Sequence, residues 1–155
     1  MLPTLLETHT PDAVVLMLGT NDCKTIFGAS AEIIGKGIVR LLEQINQYAD
    51  KMKVLVISPI YLGEKVWEDG IISYRLGESD SRRKIFYLNS KYLGSVEVSK
   101  KLEPVYEKVA GKYGKRFMRA ADYASPSEAD QEHMDGQSHK ILADAIYRKL
   151  EAEIL

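Results

Sequence analysis

The chain has 155 residues, 45% of them hydrophobic and 28% charged, which is typical of one globular domain that can bury a core. Its 21 basic and 22 acidic residues give a formal net charge of -1, so the charge does not favour binding to nucleic acid or to an anionic membrane. No apolar run approaches the roughly 20 residues that a membrane-spanning helix needs.

From the N-terminus onward, apolar spacing predicts helices that alternate with three short strands. The first two apolar runs are nearly continuous, which is typical of strands buried on both faces. The residues between them carry apolar side chains at helical spacing. In chain order, the predicted elements are the end of a helix around Leu2–Leu6 with Pro3 in its first turn, a strand over 13–18, a helix over 30–49, a strand over 53–58, a helix over 96–113 that is bent or split at Pro104, a strand over 116–122 and a helix over 136–155.

This alternation predicts an α/β fold with a parallel sheet and helices on both of its faces, formed by the whole chain as a single domain. One stretch, residues 61–95, is irregular and rich in aromatic side chains. Loops of that length are usually functional or disordered. Two interpretations remain open: an insertion packed on the surface or at a subunit contact, and a lid over a substrate cleft.

Two polar clusters follow predicted strands. Gly19, Thr20, Asn21 and Asp22 come directly after the first strand, and the segment 130–133 lies between the third strand and the last helix. In an open α/β sheet, ligands bind beyond the carboxyl ends of the strands. We therefore expect these two clusters to meet at one edge of the sheet.

The second cluster contains an acid–base pair. Asp130 precedes His133 by three residues, so its carboxylate can reach the imidazole within one turn. A carboxylate that accepts from one ring nitrogen leaves the other free to take a proton, which is the base half of a catalytic triad. On spacing alone, an ordinary Asp and His on a surface loop is the favoured interpretation. His139 is a competing base, but its place in the predicted last helix favours a capping or packing role.

The first cluster contains an amide donor. The side chain of Asn21 lies at a strand end, where such donors stabilise the oxyanion that develops in acyl transfer. The alternative is an asparagine that bonds to its own backbone in a turn.

Together these clusters resemble a known family. The stretch 11–22, which ends in Gly19-Thr20-Asn21-Asp22, resembles the third conserved block of the SGNH, or GDSL-like, hydrolases. The segment from Asp130 to His133, followed by Gly136 and a helix, resembles the last block of that family. The two matches occur in the family's order, and the resemblance covers the chain from Leu2 onward. It is greatest to the small-molecule esterase and acyltransferase branch.

The resemblance implies a role for each matched residue. Asn21 would be the oxyanion donor, His133 the general base and Asp130 its orienting acid, while Asp22 would support the loop formed with Gly19 and Thr20. It implies no metal or organic cofactor and a small ester as substrate. The chain departs from the family at Gln131, where glycine is common, and at Ser138, where the family often has glycine before a histidine.

The nucleophile of the family is absent from these motifs. It lies in a Gly-Asp-Ser block that precedes the Gly-Thr-Asn-Asp block, and no such motif occurs among the first 18 residues. The segment 77–79 reads Gly-Glu-Ser but follows no predicted strand. Cys23 is a weaker substitute, since a single cysteine is more often a small packed residue. This lone cysteine also favours a reducing, cytoplasmic location.

We therefore expect the chain to be the C-terminal portion of a longer hydrolase, with three strands of a five-stranded, flavodoxin-like sheet. The run Ala13 to Leu18 would then be an edge that a partner, a swapped segment or an N-terminal helix covers, and a homo-oligomer through this edge is one such arrangement.

The predicted function is a serine-type ester hydrolase whose nucleophile is not in this chain. The alternative is a catalytically incompetent fragment or interaction module, and a nucleotide binder is disfavoured because no Gly-rich phosphate loop follows a strand. The sequence does not determine the substrate, and acetylated sugars, short-chain esters, lysophospholipids and thioesters all remain candidates.

Overall fold

The computed structural model of this chain describes residues 2–9, 11–49, 51–66 and 94–155. Within these ranges, helices and strands alternate along the chain. They are α1 (Leu2–His9), β1 (Ala13–Leu16), α2 (Ala31–Tyr48), β2 (Lys53–Ser58), α3 (Ser95–Lys112), β3 (Arg116–Arg119) and α4 (Gly136–Glu153), with short 3-10 turns at Asn21–Cys23, Thr25–Phe27 and Ala120–Asp122.

The three described strands form one parallel sheet in the order β1-β2-β3. Val15 of β1 pairs with Leu55 of β2, and Val56 of β2 pairs with Phe117 of β3. The central strand β2 is buried from Val54 to Ser58, which explains its continuous apolar sequence. The carboxyl ends of β1, β2 and β3 therefore lie at the same edge of the sheet.

Helices cover both faces of this sheet. Because successive strand residues point to opposite faces, Val54 and Val56 pack on one side and Leu55 and Ile57 on the other. The first face is covered by α1, α2 and α3, and the second by α4. The predicted three-layer α/β architecture is confirmed.

The strands are shorter than the apolar runs predicted. β1 ends at Leu16 rather than at residue 18, and β3 ends at Arg119, after which the chain turns into a short 3-10 helix. Beyond β1, the apolar residues Met17 and Leu18 are 37% and 53% exposed, so hydrophobicity alone does not mark where the ladder stops.

The helix α3 is continuous through Pro104, so the predicted split there is wrong, while a bend at Pro104 stays a prediction. A proline removes one intrahelical hydrogen bond, but Leu102 and Tyr106 on either side of it are buried in the core and keep the helix in place. Of the aromatic segment predicted over 61–95, residues 67–93 lie outside the described residues.

The strand β1 lies at an edge of the described sheet and is partly open to solvent. The side chain of Val15 is 39% exposed and that of Leu18, just beyond the strand, is 53% exposed. In the described parts of the chain, no helix is both long and apolar enough to cross a membrane.

Candidate active site

The turn after β1 depends on a glycine that packs against the core. Gly19 has a φ of 121°, and a Cβ at this position would lie only 2.4 Å from the Tyr106 hydroxyl oxygen. That hydroxyl donates a hydrogen bond of 2.8 Å to the Leu18 carbonyl. Only glycine combines this backbone conformation with so close an approach. The first polar cluster is thereby fixed to α3.

The chain then closes into the tight turn Asn21–Cys23. The Asp22 backbone N–H donates to the Gly19 carbonyl at 3.1 Å, and that of Cys23 donates to the Thr20 carbonyl at 3.2 Å. The Cys23 side chain is 3% exposed, and burial together with the nearby Asp22 charge raises its pKa to about 12. Its thiol therefore stays protonated at neutral pH, which argues against Cys23 as a nucleophile.

Asn21 itself projects from this turn with its amide oxygen engaged. The Lys24 Nζ donates to the Asn21 Oδ1 at 2.6 Å and also lies 3.1 Å from the Glu132 Oε1. Neither Lys24 nor Glu132 was predicted from the sequence to be a site residue. The (i, i+3) spacing of Asn21 and Lys24 was a usable signal, but the contact with Glu132 joins distant segments that no local pattern reveals.

In the second cluster, Asp130 and His133 are in direct contact. The Asp130 Oδ2 lies 2.6 Å from the His133 Nδ1. The other carboxylate oxygen accepts the backbone N–H groups of His133 at 2.8 Å and of Glu132 at 3.0 Å. The segment therefore wraps around the Asp130 carboxylate, and this leaves the His133 Nε2 on the far side of the ring.

The surroundings of Asp130 stabilise its ionised form. Burial acts to raise its pKa, but the backbone N–H groups of His133 and Glu132 and the His133 ring outweigh this and lower the pKa to about 2. The carboxylate is thus ionised at neutral pH. It can hold the imidazole in one tautomer and stabilise an imidazolium.

Gln131 allows this loop to turn although it stands where the family often has glycine. Its φ is 59°, in the left-handed region that glycine adopts most readily. Its side chain is buried, with Nε2 donating to the Glu128 Oε2 at 3.1 Å. The departure from the family pattern therefore keeps a conformation that glycine favours.

The two clusters meet in one pocket at the carboxyl edge of the sheet, as predicted. Asn21, Thr20 and His133 all line a cavity of about 200 Å³. Asp130 stands behind His133, while Gly19 and Asp22 shape the turn without lining the cavity. The full lining is Met17, Thr20, Asn21, Pro59, Ile60, Glu132, His133, Met134 and His139.

His139, for which a capping or packing role was predicted, is the other histidine at this cavity among the described residues. It lines the same cavity as His133. It lies in the first turn of α4, six positions beyond His133 in the sequence.

No metal centre is apparent in the described part of the chain, since no group of three or more His, Cys, Asp or Glu side chains there could hold an ion. The arrangement instead combines an ionised acid, an imidazole and an amide donor around a small cavity.

No family model and no curated protein matches the chain, but solved structures do. The carbohydrate acetylesterase Est24 from Sinorhizobium meliloti has 28% identity and a TM-score of 0.78, over 97% of this chain and 66% of that one. A carbohydrate acetylesterase family member from the same organism has 25% identity and a TM-score of 0.77, over 99% of this chain and 67% of that one. The inhibitor-bound aryl esterase of M. smegmatis has 25% identity and a TM-score of 0.77, over 97% of this chain and 66% of that one. The chain thus spans about two thirds of the length of each.

Proposed function

Because the chain has the fold of the SGNH hydrolases, as its sequence predicted, we propose that it carries the acid–base and oxyanion part of a serine-type ester hydrolase. One observation supports this most directly. His133, whose Nδ1 lies 2.6 Å from the Asp130 Oδ2, lines the same small cavity as Asn21. The three groups most important for acyl transfer, apart from the nucleophile, are therefore together.

In the proposed reaction, a serine hydroxyl attacks the acyl carbonyl and His133 accepts its proton at Nε2. Asp130 holds the Nδ1–H and stabilises the imidazolium. The Asn21 amide donates to the oxyanion of the tetrahedral intermediate. His133 then returns the proton to the leaving alcohol, and a water molecule releases the acid by the same steps in a second cycle.

We propose that the serine belongs to a segment outside these 155 residues, which pairs with the open edge of β1. Among the described residues, the cavity lining includes no serine. The His133 side chain is 75% exposed, so a segment that covers it would strengthen its interaction with Asp130 by excluding water. The intact mass of the protein from its natural source tests this: a mass no greater than 17.4 kDa would contradict it.

The proposed substrate is a small ester with a short acyl group. The cavity of about 200 Å³ is smaller than the roughly 300–1,000 Å³ of sites for drug-sized ligands. Its apolar lining by Met17, Ile60 and Met134 suits a short hydrocarbon group. The proteins with similar structures are named as acetylesterases and an aryl esterase, which is consistent with this choice.

The experiment is a comparison of hydrolysis rates with p-nitrophenyl acetate. Without the serine we expect weak activity, because the remaining groups give about 10³–10⁴-fold over water. An imidazole can itself attack an activated ester, so the His133→Ala variant should be slower than the unmodified chain. His9→Ala is the matched control: His9 is exposed in α1 and outside the cavity that contains Asn21, so its loss should lower the rate less than the loss of His133.

Equal rates for the unmodified chain and the His133→Ala variant would contradict an acid–base role. They would favour the alternative of an interaction module that keeps the fold without the chemistry. The exposed Val15 and Leu18 at the β1 edge are the feature that supports such a module.

A homo-oligomer through this edge is a further proposal. An open strand edge can pair with a second chain, and a charged side chain on it opposes pairing. Sedimentation should then show a concentration-dependent mass. Val15→Lys should abolish that dependence, whereas Ile33→Lys, at a 56% exposed site on α2, should leave it unchanged.

A cytoplasmic location is also proposed, and its one support is the single, free Cys23.

A further inference from the structure

One cation contacts both loops of the candidate site. The Lys24 Nζ lies 2.6 Å from the Asn21 Oδ1 and 3.1 Å from the Glu132 Oε1. The side chains of Lys24 and Glu132 are only 17% and 11% exposed, so the pair is largely removed from water. An ion pair at this depth constrains its neighbours more than an exposed one does.

We propose that Lys24 is a positioning residue that determines which end of the Asn21 amide faces the cavity. This inference depends on the proposed role of Asn21 as the oxyanion donor. An amide offers an accepting oxygen on one side and a donating NH₂ on the other. An ammonium only donates, so the Asn21 Oδ1 must face Lys24 and the Nδ2 must point the other way.

The orientation of the amide matters because its two ends have opposite effects on an oxyanion. The Nδ2 hydrogens stabilise the negative charge that develops on the substrate oxygen. A rotation of about 180° would present the Oδ1 instead, which repels that charge. Without Lys24, both orientations of Asn21 become accessible, and only one of them supports the reaction.

The local backbone places Lys24 where it can do this. It lies between the two 3-10 turns Asn21–Cys23 and Thr25–Phe27, with extended φ and ψ of -62° and 133°. Its backbone N–H donates to the Asn21 carbonyl at 3.3 Å. The side chain therefore reaches the Asn21 amide within the same turn.

Glu132 holds the other side of the ammonium and connects it to the acid–base loop. The Glu132 backbone N–H donates to the Asp130 Oδ1 at 3.0 Å, and the next residue is His133. Lys24 thus fixes the distance between the oxyanion donor and the general base as well as the orientation of the donor.

The inference is tested by NMR on the 155-residue chain, without any turnover. The first measurement is ¹⁵N relaxation of the Asn21 Nδ2, with exposed Asn46 on α2 as an internal reference. The second is the coupling through the hydrogen bond between the Lys24 Nζ and the Asn21 Cγ. Because neither needs a serine, the result is independent of whether the chain hydrolyses esters.

Three variants complete the design. Lys24→Met removes the cation but keeps the negative charge of the Glu132 carboxylate next to the Asn21 loop. Combining it with Glu132→Gln removes that negative charge as well, so the double variant leaves neither charge of the Lys24–Glu132 pair. Lys36→Met is the matched control, because Lys36 is exposed on α2, and it should leave the Asn21 amide unchanged.

We expect an ordered Asn21 amide and a measurable coupling in the unmodified chain. In the double variant the order parameter of the amide should fall below about 0.6, the flexible range, while the global fold is kept. The inference is overturned if the unmodified chain shows no coupling or an amide as mobile as that of Asn46. It is also overturned if the double variant has a lower melting temperature but an equally ordered Asn21, because Lys24 would then only stabilise the fold.

Discussion

Gly63, in the loop that follows β2, contacts Gln131, in the loop that carries the acid–base pair. The Gly63 backbone N–H donates to the Gln131 carbonyl at 2.8 Å. A Cβ on residue 63 would lie 2.0 Å from the Gln131 Oε1 and 2.9 Å from its Cβ. The flexible end of the glutamine can move away, but its Cβ cannot move without the backbone. Glycine at position 63 is therefore required by the position of Gln131.

We predict that Gly63→Ala lowers the free energy of unfolding by about 1–3 kcal/mol, the usual cost of forcing an extra carbon into a packed site. Urea denaturation measures this. Gly37→Ala is the control, because a Cβ there meets nothing within 4 Å and alanine is the better helix former. It should be neutral or stabilising.

The same contact predicts a compensating double variant. Adding Gln131→Gly to Gly63→Ala removes the side chain that the new methyl group meets, and it relieves the left-handed backbone at φ 59°. The double variant should regain much of the lost stability. Purely additive losses would show that the two residues do not constrain each other.

The low pKa of Asp130 predicts a stability contribution that disappears in acid. The folded-state pKa of about 2 lies below the unfolded value near 3.9. A group whose pKa is lowered on folding stabilises the folded state above its unfolded pKa and loses that effect as the pH falls through the folded pKa. The contribution of Asp130 should therefore be complete above about pH 4 and vanish towards pH 2.

Titration of the Asp130 side-chain carbon by ¹³C NMR checks this directly, with Asp130→Asn used to assign the signal. The difference in unfolding free energy between the unmodified chain and Asp130→Asn should also shrink from pH 5 to pH 3. A titration midpoint near 3.9 would mean that the backbone N–H groups of Glu132 and His133 do not hold the carboxylate as described.

Cys23 should be unreactive towards alkylating reagents in the folded chain. Its pKa is raised to about 12 and its side chain is 3% exposed, so both the thiolate and its access are suppressed. Iodoacetamide labelling at pH 8, followed by mass spectrometry, should be slow in buffer and fast in urea. Rapid labelling of the folded chain would make Cys23 a candidate nucleophile again.

The hydroxyl of Tyr106 should stabilise the turn that leads to Asn21. Tyr106→Phe removes the donor to the Leu18 carbonyl, and the expected loss is about 1 kcal/mol in unfolding free energy. Tyr147→Phe is the control, because Tyr147 is 59% exposed on α4 and its hydroxyl bonds the nearby Glu151. Equal losses in the two variants would remove any special role for Tyr106.

The sequence was most informative where structure depends on local patterns. The strand β2 was predicted with the bounds that the structure has, since every residue from Val54 to Ser58 is buried and the run is continuously apolar. The Asp130–His133 contact was predictable because three residues of local chain suffice to form it. The resemblance to SGNH hydrolases added the order of the two polar clusters and the fold, both of which the structure has.

The features that were missed depend on tertiary contacts. Lys24 meets Glu132 across more than a hundred residues of sequence, and Gly63 is constrained by Gln131 on another loop. His139 lines one cavity together with Asn21 and Pro59, which follow two different strands. None of these relationships leaves a periodicity or a motif, so single-sequence patterns could not reveal them.

The hydrogen bonds around Asp130 have a consequence for the order in which the site forms during folding. All those from Glu132 and His133 span at most three residues, whereas Tyr106 and Leu18 are 88 residues apart. Local contacts close quickly because little chain entropy is lost, and distant ones wait for the sheet to assemble. The Asp130–His133 pair can therefore form early and persist in partly unfolded states. Asn21, in contrast, reaches its position only when the sheet and α3 have assembled.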